Sequence, residues 1–224
     1  FRNGPARGKG GAMTQCQIYL VSPLDVAGVF PHRLARALDT APVAAFQFRV
    51  KGLDEHESAR LAEPLQHICA ERNVAFIVND SISLAKRLGA DGVHLGQGDG
   101  DVRDARERLG REAQIGVTCH DSRHLAMEAG EAGADYVAFG AFFASGTKPL
   151  ARRADLQLLA DSAVLGLPRV AIGGITPDNA PTLVAAGADL LAVIGGVFDS
   201  PDPAAALRAY RRAFEPNTHE TANQ

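Results

Sequence analysis

The tripeptide Gly-Ala-Asp occurs three times in this chain, at Gly89, Gly133 and Gly187, and each copy is followed by an apolar run that ends in glycine. The runs are Gly92-Val93-His94-Leu95-Gly96, Tyr136-Val137-Ala138-Phe139-Gly140 and Leu190-Leu191-Ala192-Val193-Ile194-Gly195. In each copy the first glycine suits a left-handed residue ending a helix, the aspartate suits the turn, and the apolar residues read as a strand buried on both faces. The copies lie 44 and 54 residues apart, room for two strand-plus-helix units apiece. A repeat of that size predicts an α/β protein, a single (β/α)8 TIM barrel.

Period and punctuation give eight alternations. The expected strands are Gln17–Val21, Ala44–Val50, Ala75–Val78, Gly92–Leu95, Gln114–Thr118, Tyr136–Phe139, Arg169–Ile172 and Leu190–Ile194. Helices are expected over Pro31–Leu38, Asp54–Arg72, Ser81–Leu88, Val102–Leu109, Ser122–Ala132, Asp155–Ser162, Asn179–Ala186 and Pro203–Phe214. A doubly wound open sheet also alternates strands with helices, but the spaced repeats and the count of eight favour closure. Residues 1–12, rich in glycine and basic residues, read as a tag remnant or disordered extension, 13–214 as the barrel and catalytic domain, and the polar 215–224 as a flexible tail.

A hydrophobic fraction of 46% over 224 residues can fill one barrel core. The net charge of −3 gives no footprint for nucleic acid, and no apolar run approaches the roughly 20 residues that span a bilayer. Cys16, Cys69 and Cys119 are odd in number and scattered, without the close pairing of a zinc site, so a reducing cytoplasm is the expected setting. The expected partners are small molecules, with no nucleic acid and no membrane; a homo-oligomer stays open.

Chemistry in a barrel sits at the carboxyl ends of the strands, and here that ring is polar. The second strand ends in Gln47-Phe48-Arg49-Val50-Lys51, the third in Asn79-Asp80, and the fourth runs through His94 to Gln97 and Asp99. The fifth ends in Thr118-Cys119-His120, the sixth opens a loop with Ser145-Gly146-Thr147-Lys148, and the last two end in Gly173-Gly174 and Gly195-Gly196. Alternation puts Gln47, Arg49 and Lys51 on one face of their strand and Phe48 and Val50 on the other. Either the polar set faces the interior, where cations need anionic partners, or Phe48 does and the cations pair with structural carboxylates.

Asp80 and Asp99 follow neighbouring strands, and two carboxylates converging on one spot repel unless a cation or proton intervenes. Mg2+ suits such a pair, because it takes oxygen ligands and often only one or two protein carboxylates. The competing reading makes Asp80 the cap of the helix that begins near Ser81. The glycine pairs at Gly173-Gly174 and Gly195-Gly196 add an expected phosphate site, since barrel loops seven and eight often bind phosphate through backbone N–H groups.

Together, Tyr19-Leu20-Val21, Gln47 to Lys51, Asn79-Asp80, Ala90 to Asp99, Gly116 to His120, Ser145 to Lys148 and Ile172 to Thr176 resemble, in order, the motifs of the thiamine-phosphate synthase family, over Gln17 to Phe214. The resemblance is to the superfamily shared by the synthase and the thiazole tautomerase. It implies a transferase that joins hydroxymethylpyrimidine diphosphate to a thiazole phosphate, releasing diphosphate and giving thiamine phosphate, through a dissociative pyrimidine cation. It makes Asp80 and Asp99 the Mg2+ ligands, and Arg49, Lys51, Asn79 and Lys148 the diphosphate contacts. Gln47 and Thr118 would address the pyrimidine and its leaving group. Ser145 and Thr147 would lie by the thiazole phosphate, with Gly174, Gly195 and Gly196 supplying backbone donors. His120 resembles the acid–base residue of the tautomerase branch, and a synthase can carry it unused.

The chain departs from the family pattern at Ala144-Ser145, where Pro-Thr is usual, at Gly98, where an acidic residue is common, and at Gly195, where serine is expected. Two further functions compete: a tautomerase acting through His120, and a noncatalytic thiamine-phosphate carrier. Retention of both aspartates and of the Gln-Arg-Lys column favours the synthase. Cys119 is expected to pack, His94 to be a satisfied core histidine, and Arg152-Arg153 to be a solvated pair.

Overall fold

Eight parallel strands close on themselves in the computed structural model, which describes residues 16–144 and 152–214. They are β1 (Gln17–Val21), β2 (Ala45–Phe48), β3 (Ala75–Asn79), β4 (Gly92–Leu95), β5 (Gln114–His120), β6 (Tyr136–Phe139), β7 (Arg169–Ile172) and β8 (Leu190–Val193). Each pairs with the next, and β8 closes on β1 through Gln17–Leu190 to Leu20–Val193. The helices are α1 (Phe30–Leu38), α2 (Glu55–Ala70), α3 (Ile82–Leu88), α4 (Val102–Leu109), α5 (Arg123–Ala132), α6 (Gln157–Asp161), α7 (Ala180–Ala185), α8 (Gly195–Phe198) and α9 (Pro203–Ala213). The expected (β/α)8 barrel is what the chain forms. The segments 1–12 and 215–224 lie outside the described residues, as do Ser145, Thr147 and Lys148.

The start of α3 settles one choice the sequence left open. Ser81, not Asp80, caps that helix: Ser81 Oγ accepts from Leu84 N at 3.1 Å. Asp54 and Ser122 do the same for α2 and α5, so these three helices begin one residue later than expected, each after its cap; α7 also begins one residue late, after Asn179, without a side-chain cap. Strand β2 stops at Phe48 because the next residue turns away to Ser22, whose hydroxyl accepts from Arg49 N at 2.8 Å. Strand β5 instead runs on to His120 through a bulge between Thr118 and His120. The sequence reading missed α8, and α6 is shorter than expected, passing into a 3-10 turn at Ser162–Leu165.

The aspartates of the three repeats do more than shape a turn. Asp91 N donates to Phe76 O while Asp91 Oδ2 accepts from Phe76 N at 2.7 Å. Asp135 grips Ile115 in the same way, with N–H to its carbonyl and Oδ2 to its N–H at 2.7 Å, and Asp189 likewise grips Arg169 at 2.8 Å. Each aspartate therefore ties the start of an even strand to the start of the odd strand before it, pairing backbone groups left over where the ladder begins. The three glycines carry φ of 58°, 100° and 98°, the left-handed conformation that turns the chain off its helix.

Two cores result. Between sheet and helices lie Phe30, Phe46, Phe48, Phe76 and Phe198, with ring centroids 5.0 to 6.5 Å apart. Inside the barrel, Tyr19, Val21, Ala45, Ile77, Tyr136, Ala138, Val170, Leu190 and Ala192 pack together. Because Phe46 and Phe48 belong to the outer core, the alternate residue Gln47 faces inward, where it is buried.

Candidate functional site

The carboxyl-terminal mouth gathers most of the side chains that the sequence singled out. Past the end of β2, Ser22 holds the backbone of Arg49 at both groups, its hydroxyl lying 2.8 Å from Arg49 N and 3.2 Å from Arg49 O, and the next cation along, Lys51, places Nζ 3.8 Å from Asp80 Oδ2. Ser22 is fully buried and was not foreseen; only its place at the end of β1 hinted at a role. Asp80 follows β3 at φ 66°, a left-handed conformation uncommon for a residue with a side chain. Asp80 N donates to His94 O at 2.8 Å.

The Asp80 carboxyl meets that of Asp99, which comes from the loop after β4 and accepts from Gly96 N at 3.0 Å. Partial burial and the hydrogen bond to Asp99 raise the Asp80 carboxyl above the usual carboxylate range, and the charge on Asp99 raises it further; Lys51 and Arg49 pull it back down. Two carboxyl groups held together, half-sunk in the mouth with cations beside them, are a donor pair that could hold a hard divalent cation. Among the described residues no group of three or more His, Cys, Asp and Glu converges, so an ion here would draw its remaining ligands from water or substrate oxygens, as Mg2+ does.

A polar row lies below the mouth. Gln47 Nε2 donates to Tyr19 Oη at 2.9 Å, Tyr19 Oη lies 2.8 Å from Tyr136 Oη, and Tyr136 Oη lies 3.1 Å from His94 Nδ1. His94 Nε2 is 2.8 Å from Thr118 Oγ1, and Gln97 Nε2 donates to Thr118 O at 2.7 Å. His94 is thus the satisfied core histidine that the sequence suggested, and burial pushes it down to about 4, neutral at ordinary pH. The two tyrosines went unforeseen, since in a buried strand they read as packing residues.

The loop after β7 lies against the loop after β6. Phe142 N donates to Ile172 O and Phe143 N to Gly173 O. Gly173 and Gly174 have φ of 105° and 64°, and a side chain on Gly174 would strike the backbone of Phe143 and Ala144. Asn179 steadies the turn, accepting from Thr176 N at 2.8 Å and donating to Gly174 O at 3.0 Å. Tyr210 on α9 donates to Ile175 O at 2.6 Å, and Gly196 sits against the same hydroxyl. Gly195 and Gly196 open the first turn of α8.

Elsewhere the ordinary readings hold. Cys119 is fully buried in the core, and burial pushes its thiol up to about 12, in keeping with a packing residue. His120 stands exposed at the end of β5 with φ 50°. Arg152 lies mostly in solvent, 2.8 Å from Asp121. No helix among the described residues is long and apolar enough to cross a membrane.

A closed (β/α)8 barrel whose strand ends collect paired carboxylates, cations and glycine-rich turns is a scaffold for chemistry on anionic small molecules. Residues 18–197 match the family described as thiamine monophosphate synthase. The chain is 67% identical over 199 residues to the thiamine-phosphate synthase of Erythrobacter litoralis, covering 87% of this chain and 93% of that one. It is 51% identical over 206 residues to that of Rhodospirillum centenum, covering 90% and 99%. Among solved structures, a thiamine phosphate pyrophosphorylase from Pyrococcus furiosus superposes with a TM-score of 0.79 at 29% identity, covering 88% and 95%. The chain belongs to the thiamine monophosphate synthase family, and it is a transferase.

Proposed function

We propose that this chain transfers the hydroxymethylpyrimidine group from its diphosphate to a thiazole phosphate, giving thiamine phosphate and free diphosphate. The observation that carries the reading is the meeting of Asp80 and Asp99 beside Lys51 at the mouth of a barrel that belongs to this family. In the proposed step the bond between the pyrimidine methylene and the leaving oxygen breaks, and its electron pair departs with diphosphate. The thiazole nitrogen then donates its lone pair to the resulting cation, closing the new C–N bond. No protein nucleophile takes part, in keeping with buried, unreactive cysteines.

The work left to the chain is positioning and charge stabilisation. Asp80 and Asp99 would hold Mg2+, which when bound neutralises charge on the diphosphate oxygens. Arg49, Lys51 and Asn79, with Lys148 from outside the described residues, would bind the leaving group. Gln47 and Thr118 would address the pyrimidine and its leaving group from the inner wall. Gly174, Gly195 and Gly196 would offer backbone N–H groups to the thiazole phosphate, with Ser145 and Thr147 beside them. The buried free thiols support a reducing, cytoplasmic setting.

The deciding measurement is diphosphate release with both substrates, with Mg2+ and after chelation. Release that needs both substrates and the metal is expected. A folded protein that releases none would reject the reading, and thiazole isomerisation without metal, lost in His120→Ala, would replace it with the tautomerase.

A further inference from the structure

Five side chains from five strands form one row across the barrel interior, and the proposed transfer accounts only for its two ends, Gln47 and Thr118. The middle is Tyr19 on β1, Tyr136 on β6 and His94 on β4, with both tyrosines 1% exposed and His94 6% exposed. Phenylalanine at either tyrosine would occupy nearly the same volume without burying a hydroxyl that must be hydrogen-bonded. The barrel also gives up a side chain for the row: one on Gly116 would collide with the Tyr136 ring. His94 and Tyr136 stack with centroids 5.5 Å apart, which fixes the imidazole plane as well as its partners.

A neutral imidazole donates from one nitrogen and accepts at the other, so two head-to-tail proton orders can run along the row. With Gln47 donating to Tyr19, the order in which each member accepts from one side and gives to the next runs from Tyr19 to Tyr136, from Tyr136 to His94 Nδ1, and from His94 Nε2–H to Thr118 Oγ. The Thr118 hydrogen then points out of the row at whatever lies in the mouth. In the reverse order His94 carries its proton on Nδ1, Thr118 gives its hydrogen to Nε2, and only lone pairs face the ligand. Hydrogen bonds aligned head to tail strengthen one another, which favours a single order along the whole row.

We propose that Tyr19, Tyr136 and His94 are positioning residues that run the first order, fixing the Thr118 hydroxyl as a donor to the substrate oxygen on which negative charge grows as diphosphate departs. The inference rests on the proposed transfer reaction. Gln97 holds the Thr118 carbonyl from the other side, so the backbone is fixed and the direction of the hydroxyl is what the row decides. A donor aimed at a growing charge acts on the transition state more than on the bound ground state.

The test has two arms. First, 15N-histidine NMR of the substrate-free protein, with His94 assigned by its loss in His94→Gln, reads the tautomer directly. Protonated Nε2 and bare Nδ1, unchanged between pH 8 and 5.5, are expected; protonated Nδ1 overturns the proposal. This arm needs no turnover, so it stands even where the transfer reaction itself fails.

Second, single-turnover diphosphate release is compared in Tyr136→Phe, Thr118→Val and the double variant, with Thr118→Ser as the conservative control. Tyr136→Phe is expected to slow release about tenfold or more while KM moves less than about threefold, and to shift the His94 nitrogen signals. Thr118→Ser should retain most of the rate. In the Thr118→Val background Tyr136→Phe should cost no further rate, because it acts through a hydroxyl already removed. Additive losses, or an unchanged rate and tautomer in Tyr136→Phe, overturn the proposal. If Tyr136→Phe does not fold, Tyr19→Phe takes its place with the same outcomes.

Discussion

Asp80 and Asp99 come from successive βα loops and meet carboxyl to carboxyl, with the Lys51 ammonium 3.8 Å from the Asp80 side chain. Neither belongs to an apolar core, and neither caps a helix. When both are charged they repel, and a divalent cation would remove that cost.

Mg2+ should therefore raise the thermal unfolding midpoint of the wild-type protein, and Asp80→Asn or Asp99→Asn should abolish that rise. Asparagine tolerates the left-handed backbone of residue 80, so the fold should survive by circular dichroism. Diphosphate release should fall by about 100-fold or more. Loss of the folded state in Asp80→Asn would show a structural residue in place of a ligand.

Stability should depend on pH through His94. Burial holds it at about 4 in the folded protein, against 6.5 as the ordinary value. Between those values the unfolded chain binds a proton that the folded one refuses, so the contribution is complete above about pH 6.5 and drains away as pH falls toward 4. The loss amounts to about 1.4 kcal/mol per pH unit within that window. Urea titrations from pH 7 to 4.5 should show a shallower slope in His94→Gln than in wild type; equal slopes would mean that His94 takes up its proton without unfolding.

The aspartates of the repeats allow the opposite separation, stability without activity. Asp91 holds Phe76 by both backbone groups at the amino-terminal end of the barrel, far from the mouth. Asp91→Ala strands the Phe76 N–H and should cost about 1 to 3 kcal/mol in urea unfolding. The kcat/KM of the folded fraction should match wild type, since that face serves stability.

Those aspartates also mark how far the sequence could be read. The recurrence of Gly-Ala-Asp, the flanking runs and the eight alternations were enough for a closed barrel, because each unit punctuates itself locally with a cap, a left-handed glycine and an apolar strand. The purpose of the aspartate was not legible, since its partner lies 15 to 20 residues back, on the preceding strand. Within the site, the ring of strand ends followed from topology, which brought Gln47, Arg49, Lys51, Asp80 and Asp99 forward. Whether Gln47 or Phe48 faced inward required the register. Tyr19, Tyr136 and Ser22 stayed hidden because a buried hydroxyl shows its use only through a partner far along the chain, 117 residues away for the tyrosine pair.

Gly116 is where the interior row and the fold make competing demands. It lies on β5 beside the paired residue Tyr136 of β6, and a methyl group there would overlap the phenol ring near its hydroxyl. The ring cannot swing aside freely, because it stacks on His94 and packs edge-on against Tyr19 at 5.9 Å. Gly116→Ala should therefore cost about 1 to 3 kcal/mol through overpacking, read as a lower urea midpoint at an unchanged m-value. Displacing the phenol also breaks its contact with His94, so diphosphate release should slow even in the fraction that stays folded. In the Tyr136→Leu background, where the ring is gone, Gly116→Ala should cost less than half as much. An equal penalty in both backgrounds would place the conflict in the β5 backbone instead of the ring.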